Sequence, residues 1–192
     1  MPDLSIESNY TGIIAGVDEA GRGPLAGPVV AAAVIIDQSN LIPGIKDSKK
    51  LSKNKREELY TKITENYIWA VGIVSPKEID EINILEATKK ACVLAVEALN
   101  TNPTTVIVDG NMKFTDPRFV SFVKGDDKSI SIGAASIVAK VTRDRIMSDL
   151  HNHFPHYAWA KNSGYGTKDH ISAIEKYGQT IHHRISFKLR KN

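Results

Sequence analysis

The chain has 192 residues, 42% of them hydrophobic, and a net charge of +3, enough to bury one substantial core and too little net charge to mark a nucleic-acid binder on bulk electrostatics alone. One domain over 1–192 is the expectation, with no internal repeat or low-complexity linker to divide it. The single cysteine, Cys92, excludes an internal disulfide, and no apolar run approaches the roughly 18 residues of a membrane span, so a soluble cytoplasmic protein is expected.

The opening residues, MPDLSIESNY, lack the basic start and apolar run of a secretory signal. Short runs rich in valine and isoleucine at 12–18, 28–36 and 67–74 have strand length, with glycine, proline or polar clusters between them, and predict three consecutive strands. Between the second and third lies a basic cluster, KDSKKLSKNKR at 46–56, which reads either as a solvated surface or as a phosphate-binding patch. Ser75-Pro76-Lys77-Glu78 is a helix start with a capping serine, proline at the first position and a closing glutamate. Asn83 offers a second cap, and Leu85, Cys92, Val96 and Leu99 recur at helical spacing as far as Asn100, with Pro103 just beyond. TTVIVDGN predicts a buried strand ending at Asp109, and 118–123 a short further strand. Helices are predicted from Ala134 to about Leu150 and from Lys168 to Tyr177, followed by a second basic run, HHRISFKLRK at 182–191, helical or extended. Strands first, then strands mixed with helices, indicate an α/β fold on a mixed sheet.

Carboxylates mark the ends of these strands. Asp18 and Glu19 close the first strand before the glycine-rich loop Ala20-Gly21-Arg22-Gly23-Pro24. Two adjacent acids in a structured segment are either a solvated turn or half of a divalent-metal site, because desolvating both without a cation is costly. Asp109 ends an apolar strand, on the edge where open α/β sheets bind ligands, yet Asp-Gly is also ordinary turn punctuation. Asp126 and Asp127 add carboxylate after the next strand, or form only an acidic loop beside Lys124. Oxygen donors of this kind suit magnesium or manganese. His151, His153 and His156 lack the cysteines or second ligand group of a zinc site and are expected at the surface or in packing. Gly21-Arg22-Gly23 has neither the spacing of a phosphate-binding P-loop nor the full dinucleotide fingerprint, which disfavours a nucleotide-binding phosphotransferase. Tyr165, between Gly164 and Gly166, either offers its ring to a base or sugar or plugs the edge of the core.

Seven segments in order, VDEAGRGPLAGPVV, KDSKKLS, VDGN, VKGDD, ASIVAKVTRDR, GYGT and HHRISF, resemble ribonuclease HII from about Gly16 to Phe187. The resemblance implies a ribonuclease H-like mixed five-stranded sheet flanked by helices, with a helical C-terminal part from about residue 150 that holds substrate. It implies a four-carboxylate metal site of Asp18, Glu19, Asp109 and Asp126, the last chosen over Asp127 by its distance from Ala134-Ala135-Ser136, and a magnesium or manganese cofactor. It further implies that the Gly21, Arg22 and Gly23 backbone reads a ribose 2′-hydroxyl, that Tyr165 contacts the sugar, and that Lys46, Ser48, Lys49, Lys140, Thr142 and Arg143 touch or support substrate. Asp144, flanked by Arg143 and Arg145, is expected to make only a local ion pair. The partner so implied is an RNA/DNA hybrid, or duplex DNA containing ribonucleotides, cut by two-metal hydrolysis in ribonucleotide excision repair, with the protein a monomer away from any membrane. Ribonuclease HIII shares this core but carries an extra N-terminal domain, whereas here the first such aspartate stands at position 18. A metal-indifferent RNA/DNA-binding module is the alternative from another class.

Overall fold

The computed structural model describes residues 2–188; of the second basic run, positions 189–191 lie outside them. Five strands form one sheet: β1 (Ile14–Ala20), β2 (Val29–Ile35), β3 (Ile68–Val74), β4 (Thr105–Asp109) and β5 (Phe119–Phe122), in the order β3-β2-β1-β4-β5. The first three are antiparallel neighbours, while β4 lies parallel to β1 and β5 parallel to β4. This is the expected mixed sheet.

Helices cover both faces: α1 (Lys53–Asn66), α2 (Pro76–Glu97), α3 (Ile130–His153), α4 (Trp159–Asn162) and α5 (Lys168–Tyr177). Strand side chains alternate between faces. Ala15, Val17, Ala31, Ala33, Val106 and Val108 pack with Ala87, Ala91 and Ala95 of α2, whereas Ala32 and Val34 pack with α1 and α3. Alanines at the centre of β2 allow helices to approach on both sides. Gly16 takes this further: a Cβ there would lie 2.2 Å from the Ser131 carbonyl carbon at the start of α3.

The sequence expectations hold for β1 to β3, β4, β5 and α5, and the caps of α2 are as read. Ser75 Oγ accepts the Glu78 N–H, and Asn83, at φ 66°, breaks the helix and accepts the Leu85 and Glu86 N–H groups. Two differences matter. The basic cluster at 46–56 runs into α1, capped by Ser52, which buries Leu59 and Ile63 against the sheet. And α3 begins at Ile130, four residues before Ala134, because Ser129 Oγ accepts the Ile132 N–H. Among the described residues no helix is long and apolar enough to cross a membrane.

Candidate active site

Strand alternation builds the site. Gly16 and Ile107 face α3, so Asp18 and Asp109, two residues further along β1 and β4, face the same way. The register pairs Val17 with Val108, which brings the two carboxylates to the same edge of the sheet. Asp126 arrives from a 3₁₀ turn, Gly125–Asp127, after β5. The Gly125 N–H donates to Asp109 Oδ1 at 2.7 Å, tying that turn to β4. The turn packs closely here: a Cβ on Gly125 would lie 2.6 Å from Ile132 Cδ1, the movable end of that side chain, and 3.5 Å from Asp109 Oδ1.

Each of Asp18, Asp109 and Asp126 offers an oxygen, and these atoms all lie within 4.8 Å of one another. Asp18 and Asp126 are buried. Burial, then the charges of Glu19 and Asp109, push the Asp18 carboxyl well above its usual range; burial, then Asp109 and Asp47, raise Asp126. Asp127, by contrast, has its side chain partly exposed and pairs with Lys50, so of the two neighbouring aspartates Asp126 is the one that joins Asp18 and Asp109.

Glu19 stands beside this trio. One residue after Asp18, it leaves the strand toward the other face, where Oε1 lies 3.5 Å from Arg22 Nη1 and Oε2 is buried without a hydrogen-bond partner. Burial raises its pKa, against the lowering influence of Arg22. Lys49 is a nearby cation: burial lowers its pKa, but the charges of Asp18, Asp47 and Asp126 together outweigh that and raise it. An all-oxygen donor set, crowded carboxylates and an orphaned glutamate oxygen fit a hard divalent cation of the magnesium or manganese kind.

Beside the carboxylates opens a cleft of about 400 Å³. Of the residues singled out in the sequence, Asp18, Glu19, Gly21, Arg22, Gly23, Ser48, Lys49, Lys140, Arg143 and Tyr165 line it. Lys46 and Thr142 are not among its lining residues. Ser48 is placed by its N–H, which donates to Ser136 Oγ on α3 at 3.1 Å. Arg143 is buried, its guanidinium donating to the carbonyls of Pro28, Ser163 and Ala26 at 2.9, 2.9 and 3.1 Å, so it braces the glycine-rich loop against the Tyr165 loop. Asp144 is locally paired, but with Lys140 on the preceding turn rather than with its flanking arginines. Tyr165 is 49% exposed, and a Cβ on Gly23 would lie 3.5 Å from its ring. Sequence reasoning named none of His170, His183 and Arg184 as site residues, though all are buried near this cleft; for the last two the string HHRISF was the signal, which carried the resemblance without a role for its members.

The fold and the carboxylate corner together define a ribonuclease H-like α/β protein. The family model described as ribonuclease HII matches residues 15–190. A ribonuclease HII of Rickettsia bellii (strain OSU 85-389) is 67% identical over 185 residues, covering 96% of this chain and 94% of the relative. Two solved structures superpose with a TM-score of 0.76: the crystal structure of ribonuclease H2 from Pyrococcus horikoshii OT3, 32% identical over 93% of this chain and 95% of that one, and a chain of the PCNA:RNase HII complex from Archaeoglobus fulgidus, 30% identical over 94% and 98%. The chain belongs to the ribonuclease HII family.

Proposed function

We propose that the protein is an endonuclease that hydrolyses the RNA strand of RNA/DNA hybrids and cuts on the 5′ side of ribonucleotides embedded in duplex DNA, leaving 3′-hydroxyl and 5′-phosphate ends. The observation that carries this reading is the meeting of Asp18, Asp109 and Asp126 within 4.8 Å at one end of a cleft whose walls are Gly21–Gly23 and Tyr165.

Asp18, Asp109 and Asp126 are the residues that would hold magnesium or manganese, and the neighbouring Glu19 has a buried oxygen, Oε2, without a hydrogen-bond partner. Ions held there would supply a water of lowered pKa and positive charge to offset the negative charge developing on the leaving 3′ oxygen. The chain's own part is positional. Parallel β1 and β4 fix two of the aspartates on a rigid edge, and the Gly125–Asp109 hydrogen bond fixes the third. Lys49, beside them, places an ammonium where a phosphate approaches. The 2′-hydroxyl is what locally distinguishes RNA from DNA, and a bare glycine backbone facing an aromatic ring can admit a sugar closely enough to detect it.

Cleavage of labelled duplexes carrying one or several ribonucleotides, with and without added magnesium, tests the reading. Products that form only with metal support it; metal-indifferent binding with no product, falling steeply with salt, makes the chain a binding module instead. In the same assay Asp109→Asn is expected to lower cleavage by more than about a hundredfold, the upper end of losses seen even for outer partners of metal sites, while duplex binding persists. Near-native turnover in that variant removes Asp109 from the chemistry.

A further inference from the structure

The sequence string HHRISF holds two of the most buried polar side chains in the protein: His183 is 2% exposed and Arg184 is 0% exposed. A buried guanidinium is tolerable only when its donors meet acceptors. Arg184 Nε and Nη2 donate to the Gly27 carbonyl at 3.0 and 2.8 Å, Nη1 to that of Arg22 at 3.0 Å, and Nη2 to that of Gly21 at 2.6 Å. These carbonyls belong to the loop that forms one wall of the cleft.

The neighbouring His183 reaches the other wall through a second imidazole. Its Nδ1 accepts the Thr180 N–H at 2.9 Å, which leaves its proton on Nε2, 3.2 Å from His170 Nε2. His170 Nε2 also accepts the Trp159 indole N–H at 3.0 Å, so the His170 proton sits on Nδ1, 2.9 Å from the Tyr165 carbonyl oxygen, which also accepts the Thr167 N–H. Backbone and indole N–H groups only donate, and that fixes both tautomers. Both rings are neutral; burial lowers their pKa values, that of His183 to about 4.

We infer that His170, His183 and Arg184 are positioning residues: one turn of the C-terminal segment grips both walls and sets the spacing between Tyr165 and the Gly21–Gly23 backbone, and with it the fit of the ribose. The inference rests on the proposed role of those walls as the sugar site. Affinity for a nucleic acid comes mainly from phosphate contacts, and the one proposed above, Lys49, is not among the groups that His170, His183 and Arg184 hold, so loosening the grip should misalign bound substrate rather than release it, which lowers kcat more than it raises KM.

Asparagine and glutamine at position 170 separate this from a merely structural role. His170→Asn places its amide nitrogen near Nδ1 and keeps the bond to Tyr165; His170→Gln places its amide near Nε2, keeps a partner for Trp159 and loses that bond. Steady-state cleavage of a duplex carrying one ribonucleotide is measured for both, beside Tyr165→Ala, with calorimetric titration of manganese alone as the control for the metal corner. His170→Gln is expected to lose about tenfold in kcat at little-changed KM and unchanged manganese binding, while His170→Asn stays within about threefold of native. Native kcat in His170→Gln, or equal losses in the two variants, overturns the inference. If Tyr165→Ala also cleaves normally, the sugar-site reading itself fails; if Tyr165→Ala is slow and His170→Gln is not, only the positioning role does. Should His170→Gln not fold, Arg184→Lys, which keeps the charge and loses the fork, reads the opposite wall: the same kcat loss is expected, and native kcat overturns the inference.

Discussion

Asp18 is held in a costly state. It is buried, it shares its corner with Asp109 and Asp126, and its carboxyl titrates well above the usual range through burial first and neighbouring charge second. The native state therefore binds this proton more tightly than the unfolded chain does. Stability from this group is present below the unfolded value of about 3.8 and is lost as pH rises through the native pKa. At neutral pH the metal-free protein carries that deficit, and a bound cation relieves it. Asp18→Asn removes one charge at nearly constant volume and is expected to raise the melting temperature of the metal-free protein by a few degrees, about 1 kcal/mol, while cleavage disappears. Thermal unfolding with and without magnesium checks this: the native protein should gain from the metal and the variant should gain less. A variant that melts lower than native without metal would show that charge crowding is not what burdens the site. The Asp18-Glu19 pair also marks how far single residues are legible. Two acids after an apolar strand point to a metal, but period two along the strand sends them to opposite faces, and so Asp18 joins the trio while Glu19 turns to Arg22. The residues by themselves leave Asp126 and Asp127 alike and only the family resemblance favours Asp126, because the ion pair that engages Asp127 is with Lys50, a contact across 77 residues that no local pattern carries.

Among the elements, the contact between β1 and α3 does most to place the carboxylates, because β1 carries Asp18 near its C-terminal end and the turn before α3 carries Asp126. Gly16 allows it. A Cβ there would meet the Ser131 carbonyl carbon at 2.2 Å and the Ile132 nitrogen at 2.4 Å, both backbone atoms that cannot swing aside. Gly16→Ala must push α3 from the sheet, and overpacking of this kind costs about 3 kcal/mol. Urea unfolding should show a lower midpoint at unchanged slope, with cleavage reduced in the fraction that remains folded because Asp126 moves with the helix. A midpoint equal to the native one means that the layers can separate freely there. The elements themselves were unevenly legible. Val- and Ile-rich strands bounded by glycine and proline announce themselves, as do the Ser75 and Asn83 caps of α2. Helix α1 does not, since Leu59 and Ile63 are its only buried positions and the lysines around them read as a basic surface. The first turn of α3 was hidden because Ser129-Ile130-Ser131-Ile132 alternates like a strand, and only the cap by Ser129, together with Glu7 Oε1 accepting from Ser129 Oγ, Ser131 N–H and Ser131 Oγ, makes it helical.

On the scale of the whole molecule, the C-terminal segment closes the structure by returning to the loop after β1. Arg184 meets the Gly21 carbonyl across 163 residues, and side chain-to-backbone bonds of that span leave no periodic trace in a sequence, which is why a buried clamp passed for a charged tail. The closure has a pH signature opposite to that of the carboxylate corner. His183 is neutral in the folded protein, with its pKa lowered to about 4 by burial and by His170, whereas in the unfolded chain it titrates near 6.5. Its contribution is therefore complete above pH 6.5 and is lost as pH falls from there toward 4, because in that window the unfolded chain takes up a proton that the fold refuses. Protonation of the crowded aspartates, whose pKa values are raised by burial and by one another's charge, works the other way. The two can be separated by measuring urea midpoints between pH 8 and 4 for the native protein and for His183→Gln, whose amide keeps a donor toward His170 but does not titrate. The variant should start less stable at the alkaline end and lose less on acidification, so that the two curves converge as the pH approaches about 4. Parallel curves would mean that the imidazole is not what couples the closure of the fold to protons.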